Sequence, residues 1–298
     1  MARRSTSAGR GATRAGEAQR RSAARRPRTP AASTPGAVPQ PGGAPGNTVE
    51  ALVQAAEALR AAVRDYPERA PLGAAHYVLN PLEYAWGLHR DYLTRYGPSG
   101  AGRVEAVLVG MNPGPWGMAQ TGVPFGSPDV VREFLALTGD VVAPARTHPK
   151  RPIHGLGGAR TEVSGQRLWG GVRDCFRAPA PFFARFFVLN YCPLVFQSET
   201  GANLTPDKLP ADLMAPCLEA CDEHMAAALS ALRPTTVVAI GKWAEKQLQR
   251  LARARGLELN VRSILHPSPA SPLANRGWLQ AAREQLEELG HPWPDPCA

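Results

Sequence analysis

Residues 104–126 of the chain read VEAVLVGMNPGPWGMAQTGVPFG. The stretch begins with an apolar, β-branched run, Val104–Val109, which is typical of a buried strand. Gly110 follows at once and opens a segment with five glycines and three prolines in seventeen residues. Glycine lets the backbone approach a ligand closely, and proline fixes φ. The stretch therefore predicts a buried strand that runs into a rigid, ligand-approaching loop.

Three similar apolar runs follow along the chain, at Phe186–Leu189, Thr235–Ile240 and Val261–Leu265. Helical patterns separate them, and we expect helices around 49–64, 82–96, 128–138, 166–176, 211–232, 242–255 and 275–289. Strands that alternate with helices indicate βαβ units and a parallel sheet covered on both faces. The predicted fold is α/β, a three-layer α/β/α arrangement with a central, mostly parallel four-stranded sheet.

Each predicted strand runs directly into an unusual loop. The loops begin Gly110-Met111-Asn112-Pro113, Asn190-Tyr191-Cys192-Pro193, Gly241-Lys242 and His266-Pro267-Ser268-Pro269. In open α/β sheets the ligand crevice lies outside the carboxyl ends of the strands, so these loops are expected to converge on one site. The glycine-rich loop matches neither G-x-x-x-x-G-K-[ST] nor G-x-G-x-x-G, which argues against the usual ways of binding nucleotide phosphates.

Positive charge is concentrated at the N-terminus. Residues 1–48 hold nine arginines against one glutamate, whereas the whole chain has a net charge of +9. This Arg/Pro/Ala-rich tail lacks large apolar residues, so we expect it to be disordered and residues 49–298 to form the folded domain. The tail fits a polyelectrolyte arm that binds DNA, an organelle transit peptide, or an extension with little role.

The cysteines and the hydropathy narrow the class of protein further. Five cysteines form no C-x-x-C pair, and Cys217 and Cys221 stand one helical turn apart. Two more ligands near them would be needed for a metal, so we expect buried thiols, no metal site and no cofactor. No apolar run approaches the ~18 residues of a membrane span, and no secretory signal is evident. We therefore expect an intracellular protein with no membrane partner, in the cytoplasm or nucleoid of a bacterium or the nucleus of a eukaryote.

Several separated motifs resemble one family. Residues 110–126 are similar to the first motif of the single-strand-selective monofunctional uracil-DNA glycosylases, and HPSPASPLANRGW at 266–278 is similar to their second. Further matches are FVLNYCPLVF at 187–196, NLTPDKLP at 203–210, NPLEYAW at 80–86 and HPKRP at 148–152. The resemblance spans roughly residues 76–292. It implies a monomeric base-excision-repair enzyme that hydrolyses the N-glycosidic bond of uracil, and of 5-hydroxymethyluracil, in single- and double-stranded DNA and leaves an abasic site.

The resemblance assigns the chemistry to two side chains. Asn112, in the first motif, would hold the water that attacks the anomeric carbon. Because the transition state is oxocarbenium-like, that water needs placement more than deprotonation. His266, in the second motif, would donate a hydrogen bond to uracil O2 as negative charge builds on the departing base. No lysine lies in a motif position suited to Schiff-base chemistry, which favours hydrolysis without lyase activity.

The resemblance also implies which residues bind the base. Asn190 would read uracil O4 and N3–H, and Phe125 would stack on the flipped ring. Met111 lies in the same motif as Asn112 and is expected to contact the base. Gly114 has no side chain, so it is expected to leave room for a substituent at C5.

Contacts to DNA are expected from two regions. In the family, the loop after the second-motif histidine fills the gap left by the flipped base; here it contains Pro269, Ala270 and Leu273, and Ala270 stands where the family pattern has a basic residue. Phosphate contacts are expected from the segment 146–177, which contains seven basic residues and two acidic ones. The basic residues of this segment are Arg146, Lys150, Arg151, Arg160, Arg167, Arg173 and Arg177. Lys242 and Arg276 lie in loops beside the predicted site and are also expected to bind DNA.

Two other functions remain open from the residues alone. An α/β enzyme that acts on a free nucleoside or sugar phosphate would explain the strand-end loops but not the basic tail. A protein that recognises uracil-containing DNA without cutting it would use the same base pocket. A glycosidase with two catalytic carboxylates is disfavoured, because the motif loops contain no Asp or Glu.

Overall fold

A computed structural model describes residues 47–100 and 102–297. Its main sheet has four strands in the order β3-β2-β6-β7, and every neighbouring pair is parallel. The strands are β2 (Ala106–Gly110), β3 (Phe186–Asn190), β6 (Thr236–Ile240) and β7 (Val261–Ile264). The four predicted strands and the α/β class are therefore confirmed. Apart from residues 47 and 48, the predicted disordered tail lies outside the described residues.

Helices surround this sheet. They are α1 (Thr48–Ala62), α2 (Pro81–Tyr84), α3 (Trp86–Tyr96), α4 (Met118–Thr121), α5 (Val163–Phe176), α6 (Pro179–Phe183), α7 (Ala211–Leu232), α8 (Lys242–Arg255), α9 (Pro272–Asn275) and α10 (Trp278–Glu288). Helix α1 packs on α7 and α3, while α10 packs on α5 and β7. Every residue of β2, β3 and β6 is buried, as expected for strands covered on both faces. None of the helices in the described ranges is long and apolar enough to cross a bilayer.

Three predicted helices differ from those observed. The helix predicted at 82–96 is divided at Ala85 into α2 and α3, and the one predicted at 275–289 is divided at Gly277, whose φ is 145°. The helix predicted at 128–138 is only a short π-helical segment, Val130–Phe134. Ala136 has a φ of 48°, a left-handed conformation that a right-handed helix cannot continue through.

A second, smaller sheet was not predicted. It is antiparallel, with the order β1-β4-β5, and consists of β1 (Tyr77–Leu79), β4 (Val195–Gln197) and β5 (Asn203–Leu204). Its strands have only two or three residues each, too few to show an alternating pattern in the sequence.

The register of the main sheet places the four motif loops at one edge. Gly110 at the end of β2 pairs with Asn190 at the end of β3, and Ile240 pairs with Ile264 in the neighbouring strands. Because all four strands run in the same direction, their carboxyl ends open on the same side of the sheet. The four loops therefore lie at the same edge of the sheet, as predicted.

Candidate active site

A cavity of about 580 Å³ opens at the carboxyl edge of the main sheet. It contains each residue predicted to act on or bind the base, together with Pro269. Its lining consists of Met111, Asn112, Gly114, Pro115, Trp116, Phe125, Thr161, Glu162, Val163, Ser164, Asn190, Asn203, Thr205, His266, Ser268 and Pro269. Residues up to about 160 positions apart in the sequence thus meet around one space, which we call the base cavity.

The orientation of Asn112 is fixed by its amide nitrogen. Nδ2 donates hydrogen bonds to the carbonyl oxygens of Leu194, at 3.3 Å, and Leu204, at 3.4 Å. Leu204 belongs to β5, so the small sheet helps to hold this side chain. With its nitrogen engaged, the amide keeps Oδ1 as an acceptor, the group that a water molecule requires.

His266 is held as a neutral hydrogen-bond donor. The backbone N–H of Ser268 donates to Nδ1 at 3.0 Å, so the ring proton of neutral His266 resides on Nε2. Burial disfavours the imidazolium and lowers the pKa of His266 to about 4. The ring also needs the space above Gly241, whose φ is +90° and where an added Cβ would lie 3.1 Å from the His266 Cβ.

Asn190 and Phe125 pack over the same glycine. A Cβ on Gly110 would overlap Oδ1 of Asn190 and would lie 2.5 Å from the Phe125 ring, so both side chains require a glycine at the end of β2. Asn190 Nδ2 contacts the sulfur of Met118 at 3.1 Å, while its buried Oδ1 has no hydrogen-bond partner within the described residues. Asn190 therefore lines the cavity with a buried acceptor that has no partner among the described residues.

Phe125 adopts a strained backbone conformation. Its φ is 58°, a region that costs a residue with a side chain about 1–2 kcal/mol. Trp169 Nε1 donates to the carbonyl oxygen of the preceding Pro124 at 3.0 Å, and the Phe125 ring lies 6.5 Å from that of His266. Neighbours thus hold Phe125 at the cavity in spite of the strain, which is common at binding sites.

Glu162 also lines the base cavity, although the sequence did not reveal it. Its carboxyl group lies against Gly114, since a Cβ on that glycine would overlap both carboxyl oxygens. Burial raises the pKa of Glu162 to about 7, against a smaller lowering by the backbone N–H groups of Trp116 and Gly117. The space beside Gly114 is therefore occupied by a carboxyl group. Glu162 precedes α5, outside every motif loop, so no pattern in the sequence marked it.

The loop of residues 267–273, which we call the wedge loop, is fixed at its base and exposed at its tip. Arg167 donates hydrogen bonds to the carbonyl oxygens of Pro267 and Ser268, at 3.0 and 3.2 Å, and to Asn275 Oδ1 at 2.7 Å. Leu273 is 61% exposed, and Ala270 is exposed as well. Arg167 therefore positions this loop, whereas its sequence context suggested a phosphate contact.

A second cavity, of about 570 Å³, adjoins the base cavity and shares Trp116 with it. The guanidinium groups of Arg160 and Arg151 lie over the Trp116 ring, 4.7 and 5.4 Å from its centroid, and Lys150 lines the same space. We call it the basic cavity. Its cations are grouped next to the base cavity, as a phosphate-binding region requires.

The other predicted DNA-binding residues lie at the surface. Lys242 is exposed, and its Nζ forms an ion pair with Glu245 at 2.8 Å and a hydrogen bond to Ser263. Arg276 is exposed after α9. The role of these residues in DNA binding stays a prediction.

One group of side chains in the described ranges has the composition of a metal site. The sulfur atoms of Cys192, Cys217 and Cys221 lie within 4.8 Å of one another and are buried. The sequence had suggested only the two cysteines on α7, because Cys192 is brought to them by the loop after β3. Three thiols suit a soft metal ion, but a structural zinc site has four ligands, and fully buried free cysteines otherwise pack as small apolar side chains.

Comparisons with known proteins define the class of protein to which this fold and cavity belong. The family model that describes the uracil DNA glycosylase superfamily matches residues 98–288 of this chain. The wild-type SMUG2 protein of Pedobacter heparinus, whose crystal structure is known, is similar in fold, with a TM-score of 0.57 at 15% identity over 82% of this chain and 97% of that one.

Curated relatives are more specific. The single-strand selective monofunctional uracil-DNA glycosylase of Rattus norvegicus is 46% identical over 227 residues, which are 76% of this chain and 78% of the rat protein. The protein of the same name from Bos taurus is 46% identical over 215 residues, 72% of this chain and 77% of the bovine protein. The chain belongs to the single-strand-selective monofunctional uracil-DNA glycosylase family, and the resemblance seen in the sequence is confirmed.

Proposed function

We propose that this protein is a monofunctional DNA glycosylase that hydrolyses the N-glycosidic bond of uracil, and of 5-hydroxymethyluracil, in DNA and leaves an abasic site. The observation that carries the proposal is the meeting of Asn112, Asn190 and His266 in one cavity with the Phe125 ring. Membership of the family supports the removal of uracil, whereas 5-hydroxymethyluracil is supported by the polar surroundings of Gly114.

Asn112 and His266 divide the chemistry between them. Asn112 Oδ1 accepts a hydrogen bond from water and places it below the anomeric carbon, while Leu194 and Leu204 prevent the amide from turning. As the C–N bond lengthens, positive charge develops on the sugar and negative charge on the base. His266 Nε2–H donates to O2 of the departing base, and one such donor is worth about 3–4 kcal/mol in the transition state.

Asn190 determines that the cavity binds uracil rather than cytosine. Its free Oδ1 accepts from N3–H of uracil, and its amide nitrogen can turn from Met118 toward O4. Cytosine has no hydrogen on N3, so Oδ1 would stay buried and unpaired, at a cost of about 1–3 kcal/mol. Phe125 stacks on the pyrimidine, which adds about 1–3 kcal/mol without regard to sequence.

The two surface features beside the base cavity explain how DNA is held. Pulling a base from the stack costs a few kcal/mol, and least in a single strand. Leu273 on the wedge loop is exposed where it can enter the gap, and the basic cavity offers Arg151 and Arg160 to the backbone. We expect a monomer that acts inside the cell on single- and double-stranded DNA.

A panel of oligonucleotides tests this function. Each carries uracil, 5-hydroxymethyluracil, thymine or cytosine at one position, and alkali treatment reveals abasic sites. We expect cleavage after alkali for the first two bases, and none without alkali. Asn112→Ala should lower the single-turnover rate on uracil by about 10²-fold or more, because the water loses its placement, while binding to the same DNA persists.

The same panel separates the alternatives. A wild-type protein that binds uracil-containing DNA and releases no base is a reader of the lesion. A protein that cleaves free deoxyuridine faster than uracil in an oligonucleotide acts on nucleosides. Either outcome contradicts the proposed function.

A further inference from the structure

We propose that Cys192, Cys217 and Cys221 form a binding site for a soft, monovalent metal ion, Cu(I), which three sulfur atoms hold. None of these cysteines lines the base cavity, so the ion has a structural role and takes no part in the proposed function. The proposal replaces the expectation from the sequence that the thiols are buried without a metal.

The geometry of the three sulfur atoms carries the proposal. They lie within 4.8 Å of one another and are buried, and the side chains of Cys217 and Cys221 are both hydrogen-bonded to that of Cys192. Three sulfur atoms around one ion, each at about 2.3 Å, lie about 4 Å apart, so shifts of less than about 1 Å bring them into place. Cysteines that only fill core space have no need to face one another in this way.

Two rigid parts of the fold hold the sulfur atoms in position. Cys217 and Cys221 lie one turn apart on α7, so their side chains share one face of the helix. Cys192 belongs to the loop after β3, and its backbone N–H donates to the carbonyl oxygen of Met111 at 2.9 Å. Because both parts are fixed by the fold, binding an ion orders few additional groups.

The number and type of the ligands select the metal. Within the described ranges, no fourth His, Cys, Asp or Glu joins the group. A structural zinc ion takes four ligands, whereas Cu(I) prefers soft sulfur ligands and accepts trigonal coordination. When Cu(I) displaces one thiol proton to the solvent, the net charge of the buried cluster is unchanged. The site therefore avoids the large cost of burying an added charge.

The position of the site shows what the ion does for the fold. Leu194, two residues beyond Cys192, accepts the hydrogen bond from Asn112 Nδ2 at 3.3 Å. The ion thus joins α7 to the segment that orients Asn112. An ion that binds only the folded state stabilises it, and at about a hundred times its dissociation constant the expected rise in melting temperature is about 5–10 °C.

The test titrates full-length protein with Cu(I) under nitrogen, in competition with the chromophoric chelator bicinchoninate. All proteins carry Cys297→Ser, which removes an exposed thiol. We expect one Cu(I) per chain, the rise in melting temperature given above, and three sulfur ligands by X-ray absorption spectroscopy. Cys217→Ser and Cys221→Ser should each weaken binding at least about tenfold, since a hydroxyl is a poor ligand for a soft ion.

The matched control is Cys175→Ser, which changes another buried cysteine, on α5 and outside the cluster. It should still bind one Cu(I). Thermal melting without copper checks that each variant folds, and the stoichiometry and ligand count of the parent protein decide the question if a variant does not.

Three results overturn the proposal. The first is a parent protein that binds no Cu(I) at one equivalent, or binds it through fewer than three sulfur atoms. The second is binding that survives both Cys217→Ser and Cys221→Ser. The third is a tight one-to-one complex with Zn(II), titrated in the same way against a zinc chelator, because zinc requires a fourth ligand that the cluster lacks.

Discussion

The base cavity and the wedge loop sit side by side at one edge of the sheet, yet their side chains are held in different ways. In the cavity, Asn112 is fixed by two carbonyl groups and His266 by a backbone N–H. In the wedge loop, Ala270 and Leu273 project into solvent, and Arg167 ties the loop to α5 from below.

This difference follows from what each region must do. Groups that act on a transition state must be placed before the reaction, because a shift of about 1 Å can cost 10²-fold in rate. Groups that enter a DNA duplex meet a partner whose shape varies, and they gain from exposed apolar and charged atoms. Substitutions in the cavity should therefore change the chemical step, and substitutions in the wedge loop should change the grip on DNA.

Among the substitutions that compare these two regions, the largest effect is expected from Gly110→Ala. The new methyl group would overlap Asn190 Oδ1 and crowd the Phe125 ring, so both base-binding groups must move. We expect the single-turnover rate on uracil to fall about 10²-fold, with a smaller change in the affinity for DNA. Rapid-quench kinetics and fluorescence anisotropy on one oligonucleotide measure the two quantities.

Gly170→Ala is the matched control. Gly170 lies within α5, and a Cβ there meets no atom within 4 Å. Alanine is a better helix former than glycine, by about 1 kcal/mol, so this variant should be as stable as the wild type or more so, and fully active. A Gly110→Ala enzyme that also keeps its activity would show that the cavity tolerates movement, contrary to the comparison drawn above.

An intermediate effect is expected from Arg167→Ala, which loosens the wedge loop at its base, next to the Ser268 N–H that holds the His266 ring. The variant loses the hydrogen bonds to Pro267, Ser268 and Asn275. The cost in positioning is about 1–2 kcal/mol, which predicts roughly tenfold weaker activity on duplex uracil. On single-stranded uracil, where no stack has to be filled, the loss should be smaller and should reflect only the looser hold on His266.

The ratio of duplex to single-strand activity is the measurement, and Arg173→Ala is its control. Arg173 lies on the same helix and only approaches Asp174, at 3.8 Å. Removing either arginine changes the net charge equally. If Arg173→Ala lowers the ratio of duplex to single-strand activity as much as Arg167→Ala does, the effect comes from the lost charge and the loop contacts do not matter.

The strands and loops that form this site could be predicted well, because the patterns that indicate them lie in adjacent residues of the sequence. A buried strand followed by a motif loop can be recognised from adjacent residues, and the parallel direction of the strands then brings Asn112, Asn190 and His266 to one edge. Helices α1, α5, α7 and α8 follow from their apolar periodicity in the same way.

What could not be predicted depends on contacts between distant segments. Glu162 meets Gly114, Arg167 meets Pro267 and Ser268, and Cys192 meets the two cysteines of α7, with no trace of these contacts in local spacing. The small sheet that holds Asn112 was missed because its strands are too short to show a period. A glycine such as Gly110 indicates that another group lies too close for a side chain at that position. Only the structure shows that the groups are Asn190 and Phe125.

The smallest effect concerns Ala270, the exposed wedge-loop residue that stands where the family pattern has a basic side chain. Ala270→Arg adds one cation beside the DNA without altering the base cavity. We expect affinity for duplex DNA to rise about threefold to tenfold at low salt, with one more counterion released, and the rate of the chemical step to stay the same. Affinity for a duplex at 50 and 200 mM salt measures the gain and its salt dependence.

Ala254→Arg is the control. It lies on the exposed face of α8 near its C-terminal end and adds the same charge away from the strand ends. Equal gains from the two variants would mean that net charge alone sets the affinity for DNA, whereas a gain confined to residue 270 would place the wedge loop against the duplex.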